Sequence, residues 1–380
     1  MTAARALDNM GRSVSPPSDK GAVFSGARAR FALRETAASL LGQEAVARCG
    51  RFAIGEFGKN PNPGYIAIKH GASGGDLSGV VTCGSVWHCP VCAAKIAGER
   101  RRQIKSLLLA HMAQRRSVFM VTLTVPHAKF DEPKALRQAV SDSWRKLVAG
   151  APWKRAVERA GIMGFVRSLE VTYGENGWHP HLHVLLFTDR LNDAGADELS
   201  MWLFRRWAGI VARAGLGLAS INAWRFERAQ AAESAGAYVL KGALDFELTH
   251  AHLKAAQRGH RSPMEILRDV KQFGRDRDKV LFRVYGQAFK GARQLTYSRG
   301  LLELYELEDF EDADAATRAA FETKTVCLLS SEGFRILEQK GLLLELLELA
   351  GEGQYVLMAW GAAHGVAMSA WKPPPKDEGW

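Results

Sequence analysis

Long apolar runs are missing: nowhere in the 380 residues does an uninterrupted apolar stretch approach the ~20 needed to cross a bilayer. The first residues are rich in Ala, Arg and Ser and lack the apolar core of a secretory leader, so no membrane partner is expected and the cytoplasm is the expected location. Cysteine is scarce. Five, an odd number in a long chain, fit a reducing compartment in which thiolates serve metals rather than disulfides. No internal repeat is evident. Acidic charge is in short supply before residue 301: residues 1–300 carry 45 basic against 25 acidic residues, whereas residues 301–380 carry 6 against 15. The +20 of the first part favours a polyanionic partner, of which nucleic acid is the usual one.

What is present begins with size: 47% hydrophobic residues in a chain of this length are enough for a globular core and two or three domains. The most informative stretch is Trp178-His179-Pro180-His181-Leu182-His183-Val184-Leu185-Leu186-Phe187. As a strand it sends His181 and His183 to one face and Leu182, Val184 and Leu186 to the other. Upstream, residues 165–173 form a second strand, joined through Gly174-Glu175-Asn176-Gly177, whose Asn-Gly is a hairpin signal. Antiparallel pairing with Tyr173 opposite Trp178 places Glu170 opposite His181. Two imidazoles and a carboxylate on one face could hold a divalent cation with coordination positions open for a phosphate. The same pattern also suits a half-exposed strand with a polar face.

Cys89-Pro90-Val91-Cys92 has the spacing of a zinc knuckle, and Cys83 is its natural third ligand. The fourth is Cys49, from a separate segment, or His88, which adjoins a ligand. A buried or redox-active cysteine pair is the alternative. Residues 93–116 read as a basic helix carrying Lys95, Arg100, Arg101, Arg102 and Lys105, a solvated face or a phosphate contact. Residues 118–125 read as a strand with Thr122 and Thr124 on one face, residues 133–159 and 194–214 as helices, and 219–226 as a strand. Residues 229–246 read as a helix with Tyr238 and Lys241 at i and i+3. From 250 to 300, basic residues including Lys271, Arg275 and Arg277 interleave with Phe273, Phe282, Tyr285 and Phe289, a pattern suited to backbone contact and base stacking. Seven acidic residues follow between 303 and 314. Strands at 324–329 and 354–360 then flank leucine-rich helices at 334–349.

Taken together, His-Leu-His after a Glu-bearing strand, the preceding Phe119-Met120-Val121-Thr122-Leu123-Thr124-Val125 and the following Tyr238-Val239-Leu240-Lys241 resemble the HUH endonucleases, specifically the rolling-circle replication initiators of small bacterial plasmids. The resemblance spans residues 49–300. It implies an α+β fold: an HUH-type nuclease domain with a central antiparallel sheet, preceded by a zinc-knuckle segment. The division expected is a lead-in at 1–25, a knuckle and basic-helix module at 26–116, the nuclease with its basic extension at 117–300, and an acidic-to-apolar unit at 301–380. It further implies that Tyr238 is the nucleophile with Lys241 beside it, and that Mg²⁺ or Mn²⁺ sits at Glu170, His181 and His183 while structural zinc sits at the cysteines. His179 is then an accessory ligand or orienting group. The carboxylate that some relatives place one turn before the tyrosine is replaced by Ser234, leaving Glu233 and Asp245 as candidates. DNA is the expected partner, with a host helicase and polymerase, and a homodimer stays open. A relaxase or single-strand transposase of the same superfamily, a non-catalytic DNA-binding regulator and a small-molecule metallohydrolase are the rivals.

Overall fold

The computed structural model describes residues 27–42, 45–54, 64–71, 74–229, 260–317 and 323–375. Its architecture is α+β, with two antiparallel sheets among the described residues. The larger has five strands in the order β6-β3-β5-β4-β7: β3 (Ser117–Thr124), β4 (Ile162–Gly174), β5 (Gly177–Thr188), β6 (Arg225–Arg228) and β7 (Leu295–Tyr297). β4 and β5 form the expected hairpin in the expected register, Tyr173 opposite Trp178 and Glu170 opposite His181. Gly177 turns the chain at φ 83°, and a Cβ there would come within 2.5 Å of the Lys129 carbonyl oxygen, so only glycine suits both the backbone and the space.

Alternation sorts the side chains of this sheet. Phe119, Val121 and Leu123 of β3, with Leu182, Val184 and Leu186 of β5, join the main core, against which α3 (Pro133–Leu147) and α5 (Asp193–Arg213) pack through Leu136, Val140, Trp144, Leu203 and Trp207. The other face is divided. Val118, Val166, Leu185 and Phe187 are covered by Ile104, Leu107 and Leu108 of the long helix α2 (Pro90–Ala113). Being two and four residues from Leu185, His183 and His181 share this covered face but lie beyond the part that α2 occupies. Helix α4 (Gly150–Ala160) joins α3 to β4 and packs on α5, Trp153 against Trp202.

The smaller sheet runs β2-β1-β8-β9, from β1 (Tyr65–Gly71), β2 (Gly74–Ser78), β8 (Thr323–Ser330) and β9 (Trp371–Lys372). Ile66 faces Leu329 and Ile68 faces Cys327, all four fully buried, so the glycine-rich early segment and the late segment build one sheet between them. α1 (Ala27–Leu41) and three short helices, α9 (Ser331–Gln339), α10 (Leu343–Leu349) and α11 (Gln354–Ala363), surround it. Two expectations change here. Residues 354–360 are helical, because Leu357 and Gly361 at i and i+4 turn inward, the latter so close to Trp371 that no larger residue fits. Residues 219–226 begin with a 3₁₀ turn at Ile221–Ala223, and pairing starts only at Arg225.

Between the sheets lie α6 (Pro263–Phe273), started by a Ser262–Glu265 capping box, α7 (Asp276–Phe289) and α8 (Asp312–Thr317). Phe282, Tyr285 and Phe289 line the inner stripe of α7 and are fully buried, Tyr285 donating its hydroxyl to the Trp87 carbonyl at 2.7 Å. The base-stacking role expected of these aromatics is thereby corrected. Their 3- and 4-residue spacing is the signature of a helix face turned to the core. No helix among the described residues is long and apolar enough to cross a membrane.

Candidate metal centre

The hairpin brings Glu170, His181 and His183 together. One Glu170 carboxylate oxygen, Oε2, lies 3.3 Å from His181 Nε2 and 3.5 Å from His183 Nε2. Each imidazole is oriented by its other nitrogen. His181 Nδ1 is 3.1 Å from the His179 carbonyl and donates to it, which turns Nε2 inward toward Glu170. His183 Nδ1 pairs with the Thr122 hydroxyl at 3.1 Å, across the β3–β5 register. Burial alone would raise the Glu170 pKa, yet His183 and then His181 outweigh it and hold the group ionised well below the usual carboxylate range. Its second oxygen, Oε1, is buried without a hydrogen-bond partner among the described residues. A buried anionic oxygen without a donor, beside two imidazole Nε2 atoms, is a donor set that a divalent cation would complete.

His179 projects from the same face with its ring 5.1 Å from that of His181, but it turns toward His127, Nδ1 to Nδ1 at 3.4 Å, and stands outside the three-residue cluster. Its pKa is lowered to about 3, chiefly by burial and then by His181, His127 and His260, so it is a neutral imidazole at physiological pH. His127 was not singled out from the sequence. It follows β3 in a loop, where no spacing rule links it to a strand of the hairpin.

A second cluster gathers Cys49, Cys83, Cys89 and Cys92, with ligand atoms within 4.8 Å of one another. The closest sulfur pairs are 3.4 and 3.6 Å apart, far beyond a disulfide bond and near the ~3.7 Å edge of a tetrahedron built on Zn–S bonds of ~2.3 Å. Cys89 is the N-cap of α2, and its sulfur accepts from the Cys92 amide, so the positive end of the helix faces the thiolates. Hydrogen bonds from the other three thiols hold Cys49 low. The bond to Cys49 pushes Cys83 up and burial pushes Cys89 up, as expected of four sulfurs too crowded to ionise together without a cation. His88 is buried facing away, its Nε2 2.8 Å from the Gly286 carbonyl, which leaves Cys49 as the fourth member.

The basic residues are dispersed. Arg101, Arg102 and Lys105 on α2 and Lys271, Arg275 and Arg277 around α6 and α7 are exposed. Arg100, expected to face DNA, is instead buried: its guanidinium donates to the Phe310 carbonyl and to Asp312, and it lies 4.3 Å from the Phe310 ring centroid. Three residues from Gln103 and seven from Leu107, it belongs to the inner stripe of α2. Tyr238, Lys241, Glu233 and Asp245 lie outside the described residues. The flanking described residues are on the central sheet: the Ala229 amide donates to the Val118 carbonyl, and Arg261 exchanges backbone hydrogen bonds with Tyr173.

Residues 76–191 match the family model described as "Replication protein". Among curated proteins, the chain is 24% identical over 367 residues to "Protein rep" of Streptomyces lividans, which covers 78% of this chain and 80% of that one. It is 28% identical over 152 residues to the "Neomycin resistance protein" of Streptomyces cyanogenus, covering 33% and 35%. With "Protein rep" of Lentilactobacillus hilgardii the figures are 24% over 236 residues, covering 60% and 67%. No solved structure matches. The matched segment holds Cys83, Cys89 and Cys92 and the whole of the Glu170–His181–His183 cluster, so the part of the chain that is similar to replication proteins is the part that builds both clusters.

Proposed function

We propose that the chain is a plasmid rolling-circle replication initiator, a site-specific single-strand endonuclease that nicks and rejoins one DNA strand at the origin on an HUH-type nuclease fold. One observation carries the reading. Inside the segment shared with replication proteins, an ionised buried Glu170 with a partnerless oxygen faces two inward-turned imidazole nitrogens.

Tyr238 Oη attacks the scissile phosphorus and the P–O3′ bond breaks. The 3′ oxygen leaves and takes up a proton, the phenol loses its own, and a 5′-phosphotyrosine ester remains beside a 3′ hydroxyl that primes synthesis. Lys241 favours the phenolate by its charge. Reversal by a 3′ hydroxyl rejoins the strand, because the ester conserves the energy of the broken bond. Glu170, His181 and His183 would hold a divalent cation, which supplies Lewis-acid polarisation of a phosphoryl oxygen, and the carboxylate donor suits Mg²⁺ or Mn²⁺. His179 orients His181 through its carbonyl, and either Glu233 or Asp245 activates water at termination. Cys49, Cys83, Cys89 and Cys92 hold a structural zinc. Exposed Arg101, Arg102, Lys105, Lys271, Arg275 and Arg277 contact the DNA backbone. The working location is the bacterial cytoplasm, with the host helicase and polymerase as partners.

Incubation with a single-stranded oligonucleotide from the replicon's own origin and Mn²⁺ should give a covalent adduct on a denaturing gel. Tyr238→Phe and His181→Ala should abolish it while duplex binding stays near the wild-type level. An adduct that persists in Tyr238→Phe, or equal loss of cleavage and duplex binding in His181→Ala, would overturn the assignment.

A further inference from the structure

Between β3 and α3 the chain makes a turn that stands beside the metal centre. His127 reaches His179, and the Lys129 carbonyl lies against Gly177 at the tip of the hairpin. The turn is fixed by its own hydrogen bonds. The Asp131 amide donates to the Ala128 carbonyl at 3.1 Å, the Ala128 amide donates to Asp131 Oδ2 at 2.7 Å, and Glu132 Oε2 accepts from the Ala135 amide at 2.6 Å as the N-cap of α3.

On this fixed turn Phe130 is 92% exposed, more than any other large apolar side chain among the described residues. The Lys129 ammonium is 5.8 Å from its ring centroid. Phe130 is three positions along the chain from His127, a span of at most about 11 Å. Its neighbours Ala128, Lys129, Asp131 and Glu132 are exposed too, so there is no apolar groove here in which a partner's side chain could be buried. A planar ring with an open face and a cation beside it suits a different ligand, one that needs a face rather than a pocket. The two nearby carboxylates already accept backbone hydrogen bonds.

We propose that Phe130 and Lys129 form a nucleobase-stacking site for unpaired DNA flanking the scissile phosphate, the ring taking a base and the ammonium a backbone phosphate. This rests on the single-strand endonuclease reading given above. It also supplies the base contact that buried Phe282, Tyr285 and Phe289 cannot make.

The test measures single-strand affinity without divalent cation, and cleavage kinetics with Mn²⁺, for the wild type and for Phe130→Ala, Phe130→Leu and Phe130→Trp. Phe130→Ala should bind the origin oligonucleotide about 5- to 150-fold more weakly, the range expected for loss of one stacked base. Its KM for cleavage should rise in step while kcat and duplex affinity stay unchanged. Phe130→Trp should restore binding, and Phe130→Leu, apolar but without a planar face, should not. Unchanged binding in Phe130→Ala, or full restoration by leucine, overturns the stacking site even if the wild type cleaves. Weakened binding in Phe130→Ala with no wild-type cleavage leaves the stacking site standing and removes the nuclease reading.

Discussion

Tyr285 is closed into the core, and its substitution separates two roles that the sequence alone leaves mixed. As a core residue, Tyr285→Ala should cost about 3–5 kcal/mol of stability and Tyr285→Phe about 1 kcal/mol, the hydroxyl's bond to Trp87, both measured by denaturant unfolding. A base-stacking tyrosine would lower DNA affinity and leave stability alone. The helical spacing of Phe282, Tyr285 and Phe289 marks a core stripe, while their basic neighbours equally suit a nucleic-acid face, so the sequence admits both roles. The same holds for Arg100, whose side chain type says surface while its place on α2 says core. His127 was not legible at all, because its partner comes from another strand and only the folded sheet unites them. His111 provides a test in pH. It is buried between the Ser117 and Thr188 carbonyls, and burial lowers its pKa below the ordinary ~6.5. Below about pH 6.5 the unfolded chain binds a proton there that the folded chain does not, so stability falls as pH drops until the folded value is reached. In His111→Gln that loss should shrink, by up to about 1.4 kcal/mol per pH unit within the window, when unfolding is followed at several pH values.

At the scale of elements, the β4–β5 hairpin was the most legible part. A short turn and strict alternation leave one register that buries Leu182, Val184 and Leu186, and that register alone puts Glu170 opposite His181. The start of α2 was less plain: the sequence reading begins it at residue 93, whereas Cys89 as N-cap and Pro90 in the first turn start it at the knuckle itself. Residues 354–360 were not plain, because a short apolar run fits a buried helix as well as a strand. The knuckle ties three segments together through Cys49, Cys83 and the first turn of α2. Purified protein should therefore contain one zinc per chain. Cys49→Ser should lose it while His88→Ala keeps it, and a strong chelator should lower the thermal midpoint. Zinc retained in Cys49→Ser would remove Cys49 from the ligand set.

For the whole molecule, the pairing of β1 with β8 ties early chain to late chain. Local pattern cannot reveal such a partner, because alternation specifies a face and not which distant strand will lie alongside. A chain cut after residue 300 loses β8, and with it the strand that flanks β1 opposite β2, as well as Asp312 and Phe310 that hold Arg100. It should be markedly more sensitive to protease between residues 27 and 113 than the full chain, and should lose zinc more readily. Equal resistance would mean that the early segment folds unaided.

The β1–β8 pairing also has a consequence in time. At about 5–20 residues per second of synthesis, roughly 13–50 s separate the emergence of the two strands. Through that interval β1 and β2 stand without the strand that completes their sheet.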